Sequence, residues 1–538
     1  MSNTLSTSTI IIYSDIKSIR FLVEKKNPKS REIHEDIYSN FKPITKLPIT
    51  GDTPIAMFRP SLPLTLAALL VILPAVLSQP APDDYNCYAE DEYPYLFFSS
   101  KTAYQYIYDK KPQVIPHCKP VQIWTVARHG TRYPSKKEII RMKDLVNLQS
   151  EVMKNYERRD IERKLCEKDL TNLRKWVYNL TLDLDYQLAP QGHDDLFYLA
   201  KRMRTKFPIL NDAAGFSPEQ IQSHFLIRHT QTPRTKESAE AFVEGLFGGR
   251  ASSVIIPPAQ DNEMLIKPYI NCTPWEQAVD DEIHTREATL FEEGPLMKGL
   301  IASVSRRLGF TYNLTLEKID QIYETCRYEK ALHLQTLPAW CASFSKRELK
   351  ILEYYEDLKY YYKDGFGNNV SGRMACPLVK DMFEKFSKTA TLRDPTLTDI
   401  GQLGTFYFTH TTMILLLLHR LDIAHDKVPP THDNFATQNK RLWRTSLIDP
   451  FAANLAAVFY KCSQGEENQV AFYLNEHIVD YPGCNVGLCS WSFLENKFRT
   501  VVQPETCNLD FCFNASPSLS PALGVVLLSV ITLWSRLV

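Results

Sequence analysis

The chain has 538 residues, enough for about two to four domains or for one large enzyme carrying an insertion. Lysine plus arginine and aspartate plus glutamate both number 62, so the formal net charge is zero, which excludes a general nucleic-acid binder with its strongly basic face. Hydrophobic residues at 44% can fill a sizeable core, and any anion binding has to come from a local cluster of cations.

Residues 1–56 contain no cysteine and no clear core pattern. They read as an upstream extension outside the working protein, whose translation is expected to begin at Met57. Met57-Phe-Arg59, a mostly apolar stretch from Leu62 to Leu77 and Ser78 then make a secretory signal over 57–78. A type II membrane anchor is the other reading of this stretch, which is short for a span. All 12 cysteines follow, from Cys87 to Cys512, and an even number behind a signal predicts disulfides in an oxidising compartment. The spacing of Cys484, Cys489, Cys507 and Cys512 also suits a zinc ribbon, but in a secreted chain disulfides are the expected use, and no metal site is predicted. The sequons at Asn179, Asn271, Asn313 and Asn369 are expected to be glycosylated, whereas Asn514, shortly before Pro517, is a poor acceptor.

Val121–Ala127 is β-branched and aromatic and reads as a buried strand. Arg128-His-Gly-Thr-Arg-Tyr-Pro134 follows, then Ser135-Lys-Lys-Glu138 as a capping box for a helix. Strand, tight turn and helix start place Arg128, His129 and Arg132 at an anion site, with helix-start amides expected to point at the ligand. Two guanidiniums beside a histidine suit a phosphoryl group, whose oxygens match the arginine fork. Lys136 and Lys137, just past the motif, are candidate contacts to further phosphates, with solvated lysines the plain alternative.

Residues 144–178 have helical spacing, 222–228 reads as a strand, and Pro233-Arg234 opens the stretch Ser238-Ala-Glu-Ala-Phe242. Residues 346–363 read as a helix stopped by Gly365 and Gly367, and 404–409 as a strand running through His410-Thr411-Thr412 into an apolar helix. Past Asn514, a Pro/Ser spacer and the apolar Ala522–Trp534 form a GPI-attachment signal. The simplest architecture is α/β: a core interrupted by a mostly helical insertion, with the ligand at strand C-terminal ends. The core takes 79–135, 216–250 and 396–500, the cap takes 136–215 and 251–395, and 501–538 is a cysteine-containing tail.

Arg-His-Gly-x-Arg-x-Pro at 128–134 resembles the hallmark of the histidine acid phosphatases, and Arg234 before Ser-Ala-Glu-Ala-Phe occupies a further arginine slot of that family. Trp340-Cys-Ala-Ser-Phe344, Glu353–Lys359, Gly365-Phe-Gly367 and Leu442–Pro450 running on to Tyr460 resemble the multiple inositol polyphosphate phosphatases; the likeness spans roughly residues 85–500. It implies an α/β core under a helical cap and hydrolysis of inositol hexakisphosphate and lower inositol phosphates without cofactor or metal. His129 would be the nucleophile, with Arg128, Arg132, Arg234 and His410 stabilising the phosphoryl oxygens. The family follows this second histidine with Ala-Glu, and related phytases with Asp. Here Thr411 and Thr412 stand in those places, so the general acid is missing. A slow phosphatase is therefore expected, or alternatively a catalytically silent cell-surface binder of phosphorylated ligands. The expected location is the extracellular face of the plasma membrane through a lipid anchor, with secretion or the endoplasmic reticulum lumen as alternatives.

Overall fold

A computed structural model describes residues 87–513, apart from 91–95, 112–113, 159, 161–163, 214, 262, 394, 397–398, 501 and 504–506. Met1–Gln79 is a separate unit, of which only a pairing of Ser14–Asp15 with Ser18–Ile19 is described. The expected secretory signal at 57–78 and the expected attachment signal after Asn514 lie outside the described residues.

Seven strands form one mixed sheet in the larger unit. β1 (Cys118–Arg128) is buried without interruption from Val121 to Arg128, as a strand covered on both faces must be. β2 (Phe225–His229) and β3 (Gly404–Thr409) run parallel to it, while β4 (Asn454–Cys462) lies antiparallel on its other side. β5 (Asn468–Leu474), β6 (His477–Ile478) and β7 (Leu488–Ser490) complete the sheet in the order β2-β3-β1-β4-β5-β6, with β7 also paired to β5. Register fixes what meets at the sheet's edge. Arg128 pairs with Thr409, so His129 and His410 leave the sheet side by side, and Ala127 pairs with Asn454, which brings the loop entering β4 to the same edge.

The expected strand at 222–228 begins later. Ser217 and Gln220 make a capping box that starts a helix at Pro218, and this helix holds 218–224 before β2 opens at Phe225. The charged 144–178 stretch yields two helices, Leu145–Glu157 and Glu167–Arg174. α1 (Lys136–Lys143) carries the predicted Ser135/Glu138 box.

Trp124, Phe242, Phe386 on α6 (Cys376–Ala390), Phe406, Leu415 and Phe459 represent the core around the sheet; Leu148, Phe291, Ile322 on α4 (Leu316–Leu332), Trp340 and Leu352 represent a second core among the cap helices. The line between the two departs from the segment limits given above. α2 (Pro190–Lys206) places Leu196, Leu199 and Met203 in the sheet's core, while Tyr88, Phe97 and Phe98 join the cap. Helical spacing reveals an apolar face but not the surface that covers it.

All twelve cysteines pair: Cys87–Cys166, Cys118–Cys462, Cys272–Cys512, Cys326–Cys341, Cys376–Cys507 and Cys484–Cys489. Cys484 and Cys489 thus bind each other, and Cys507 and Cys512 reach back to the core. Asn179, Asn313 and Asn369 are exposed and Asn271 is half-buried. Among the described residues no helix is long and apolar enough to cross a membrane.

Candidate active site

The turn after β1 is held through the amides of its first three residues. His129 N donates to the Thr409 carbonyl (3.0 Å), and the His129 carbonyl accepts from Ala452 N (3.1 Å). Gly130 N donates to Ser238 Oγ at 3.1 Å, and Thr131 donates to Asp195 Oδ2 through both N and Oγ1, at 2.9 and 2.7 Å. Gln105 and Gln191 fill the other Asp195 oxygen, so this buried carboxylate has four donors. A Cβ on Gly130 would collide with the Gly192 carbonyl at the start of α2, which is why the turn needs glycine there. These amides are therefore spent within the protein. At α1, Ser135 N, Lys136 N and Glu138 N also have acceptors, from Glu138, Asp185 and Ser135. The expectation that helix-start amides bind the anion is corrected accordingly: side chains form the cradle.

His129 is buried, and its Nδ1 lies 2.9 Å from the Gly130 carbonyl. A carbonyl only accepts, so Nδ1 carries the hydrogen and Nε2 keeps its lone pair. Burial, with Arg128 and Arg234 nearby, holds this imidazole well below the ordinary histidine pKa. Its ring packs edge-on to that of His410 with centroids 5.5 Å apart. His410 caps α7 (Thr411–Leu421); its Nε2 meets Thr230 Oγ1 at 3.0 Å and its Nδ1 meets Arg234 Nη2 at 3.3 Å. An arginine can only donate, so His410 carries its proton on Nε2. Burial and Arg234 also hold its pKa well below the ordinary range.

Arg234, at the start of α3 (Pro233–Phe247), shares one aromatic ring with Arg132: Tyr186 lies 5.1 Å and 4.7 Å from their guanidinium carbons. Burial, followed by Arg132, brings Arg234 down to about 10. Tyr186, Ser99 and Ala452 have φ of 56°, 50° and 55°. Such backbone persists only where the surroundings determine it. Arg128 is gripped on one nitrogen: Nη1 donates to the carbonyls of Ser100, Asp449 and Pro450 at 2.7, 2.9 and 3.0 Å and lies 3.3 Å from Asp449 Oδ2. Its other face stacks 4.8 Å from the Phe451 ring.

Arg128, His129, Arg132, Arg234 and His410 therefore meet as the sequence predicts. Lys136 and Lys137 stand exposed on α1, with no side-chain contact to this cluster among the described residues. Thr411 and Thr412 are half-buried in the first turn of α7. Sequence reasoning missed Lys101 and Lys267, whose charges act on Asp449 and His410, and two buried acids, Asp364 and Asp449. Asp364 follows directly on α5 (Lys346–Lys363), and burial raises its pKa to about 7. Asp449 is the last residue but one of the Leu442–Pro450 segment, and that position was its one visible signal. α5 holds that segment: Glu353 and Asp357 pair with Arg441, Glu353 with Arg444, and Asp357 Oδ1 accepts from Thr445 N at 2.8 Å. Among the described residues the one group of potential metal ligands, Cys87, Cys166 and Asp169, has its sulfurs joined in a disulfide.

Residues 121–475 match the family described as histidine phosphatase superfamily (branch 2). The chain is 34% identical to multiple inositol polyphosphate phosphatase 1 of Drosophila melanogaster, over 85% of this chain and 97% of that one. It is 28% identical to the protein of the same name from Homo sapiens, over 73% and 82%. Among solved structures, the phytase from D. castellii superposes with a TM-score of 0.58 at 16% identity, covering 81% of this chain and 91% of that one. The Bifidobacterium longum multiple inositol polyphosphate phosphatase in complex with inositol hexasulfate gives 0.54 at 13%, covering 77% and 98%. At these identities the structural likeness speaks for the fold, an α/β core of this type.

Proposed function

Because the chain belongs to the histidine phosphatase superfamily (branch 2), we propose that it is a phosphomonoester hydrolase acting on inositol hexakisphosphate and lower inositol phosphates through a phosphohistidine at His129. One observation carries the chemistry: a backbone carbonyl holds the Nδ1 hydrogen of His129, which leaves a neutral Nε2 as the nucleophile among three arginines. The Nε2–P bond forms as the ester P–O bond breaks in line. Arg128, Arg132 and Arg234 neutralise the phosphoryl oxygens, and Arg234 leaves His410 Nδ1 to do so. Water then attacks phosphorus, the N–P bond breaks, and His129 returns neutral. The substrate class is supported by the names of the relatives.

The leaving alkoxide needs a proton, and a threonine hydroxyl at 412 is too weak an acid to supply one by itself. Loss of general-acid catalysis costs ~10²–10⁴ in rate, so slow turnover is the consequence of this position taken alone. The same substitution favours the second reading, a silent binder of phosphorylated ligands. Rapid acid quench with ³²P-labelled inositol hexakisphosphate separates the two. Labelled protein that disappears in His129→Ala supports the hydrolase; calorimetric binding with no labelled protein would leave only the binder.

We also propose exposure on the extracellular face through a GPI anchor, a reading supported by the six disulfides and three exposed sequons. Phosphatidylinositol-specific phospholipase should release the protein from intact cells, and retention beside a released control would refute the anchor.

A further inference from the structure

We propose that Asp449 holds the proton for the leaving group and delivers it across the hydroxyl of Thr411, doing the work of the carboxylic acid absent from 411–412. This rests on the phosphohistidine reading above. The loop that carries Asp449 enters β4 at the edge where β1 and β3 release His129 and His410, so the topology brings the carboxyl to Arg128, the residue before the nucleophile. The side chain is fully buried, with Oδ2 3.3 Å from Arg128 Nη1 and Oδ1 without a hydrogen-bond partner at bonding distance. A buried carboxylate oxygen left orphaned is costly, and a proton on Oδ1 offered to a neighbouring hydroxyl lowers that cost. The Thr411 hydroxyl, next to His410, is the side chain that approaches this carboxyl.

Arg128 does not need the carboxylate to hold it in place, because three carbonyls already bind the same nitrogen. The groups facing Asp449 are Arg128 from β1, Lys101 from the 99–101 turn, Asp364 and Tyr360 from the end of α5, and Thr411 from α7. Burial wins over Arg128 and over the Thr411 hydroxyl, both of which favour the carboxylate, and, helped by the like charge of Asp364, raises Asp449 to about 7. The carboxyl is thus protonated at mildly acidic pH and still able to release its proton. Asp364 has no such outlet. Neither of its oxygens has a hydrogen-bond partner, and where it is ionised its charge opposes ionisation of Asp449.

As His129 Nε2 bonds to phosphorus and the P–O bond breaks, the Thr411 hydroxyl hydrogen passes to the alkoxide and the Oδ1 proton of Asp449 passes to Thr411. Asp449 ends as a carboxylate paired with Arg128. In the second step the path reverses: a proton from the attacking water returns through Thr411 to Asp449 as the N–P bond breaks.

An alkyl phosphate depends on such a proton and 2,4-dinitrophenyl phosphate does not, since its phenolate leaves unaided. Asp449→Asn should lower the ratio of turnover on inositol hexakisphosphate to turnover on 2,4-dinitrophenyl phosphate by ~100-fold. It should also remove the alkaline limb of the inositol hexakisphosphate pH profile. Thr411→Val should lower the ratio likewise and Thr411→Ser should restore it. That pair decides the matter if Asp449→Asn does not fold. An unchanged ratio, with both substrates losing equally or neither losing, overturns the inference and leaves Asp449 as a mere support for Arg128. Wild-type protein that forms no phosphohistidine from either ester overturns the hydrolase reading itself, and this inference with it.

Discussion

His129 and Asp449 are both displaced from their ordinary pKa values by burial, in directions that suit opposite tasks. The imidazole is useful when neutral. Its pKa lies well below 6.5, so the acid limb of activity should fall below that pH. The carboxyl is useful when protonated, and activity on inositol hexakisphosphate should decline as pH rises through about 7. A bell with those two limbs is the expected profile, and an alkaline limb well above 8 would contradict the assignment of Asp449. Position 412 offers a second check. It lies in the first turn of α7, one residue beyond Thr411 and beside the histidine that caps the helix. Adding Thr412→Glu to Asp449→Asn should return a carboxyl to that place and raise single-turnover phosphate release from inositol hexakisphosphate by ~10-fold, about 1.4 kcal/mol of barrier. No gain over Asp449→Asn alone would mean that the end of α7 does not point at the leaving oxygen.

At the scale of elements, sequence reasoning succeeded where a pattern was local. β3 and α5 have the predicted bounds because a short aromatic and β-branched run ending at a histidine, and helical spacing stopped by glycine, are written within a few residues. β4 and β5 were not read as strands, because a buried antiparallel pair lacks the alternation that marks a half-exposed one. The five named site residues were legible from motif and resemblance, and the parallel register of β1 and β3 explains why two motifs about 280 residues apart act together. Asp449 was not legible. An aspartate before proline in a loop is an ordinary turn residue until the fold removes its solvent and places Arg128 against it. Lys101, Lys267 and Asp364 were hidden for the same reason: their meaning is burial, which no spacing records. The amides of the motif turn show the converse failure. Their place before a helix suggested an anion nest, yet Thr409, Ser238 and Asp195, from distant segments, had claimed them.

Over the whole molecule, a zero net charge coexists with four cations, Arg128, Arg132, Arg234 and Lys267, around one histidine pair, so affinity for a polyanion is a property of the site's assembly rather than of the surface. Each core has its own covalent staples: Cys87–Cys166 and Cys326–Cys341 among the cap helices, and the other four about the sheet. Cys272–Cys512 has a further consequence because of what it anchors. It closes a separation of 240 residues and fixes the segment from Lys267 to Cys272, which contains the turn Pro268–Asn271. On that segment Lys267 acts on His410, and Tyr269 lies between the charges of Arg234 and Asp364. Replacing both cysteines, Cys272→Ser with Cys512→Ser, frees a long loop in the unfolded chain and loosens this wall of the site. Stability should fall by ~2–5 kcal/mol, the usual cost of losing a native bridge of this kind. The KM for inositol hexakisphosphate should rise more than kcat falls, since the nucleophile turn is held independently by Asp195 and Ser238. Denaturant melts and steady-state kinetics on the double variant measure both. An unchanged midpoint would show that Cys376–Cys507 alone secures the tail, and a loss confined to kcat would show that Lys267 and Tyr269 serve the reaction rather than the binding of its substrate.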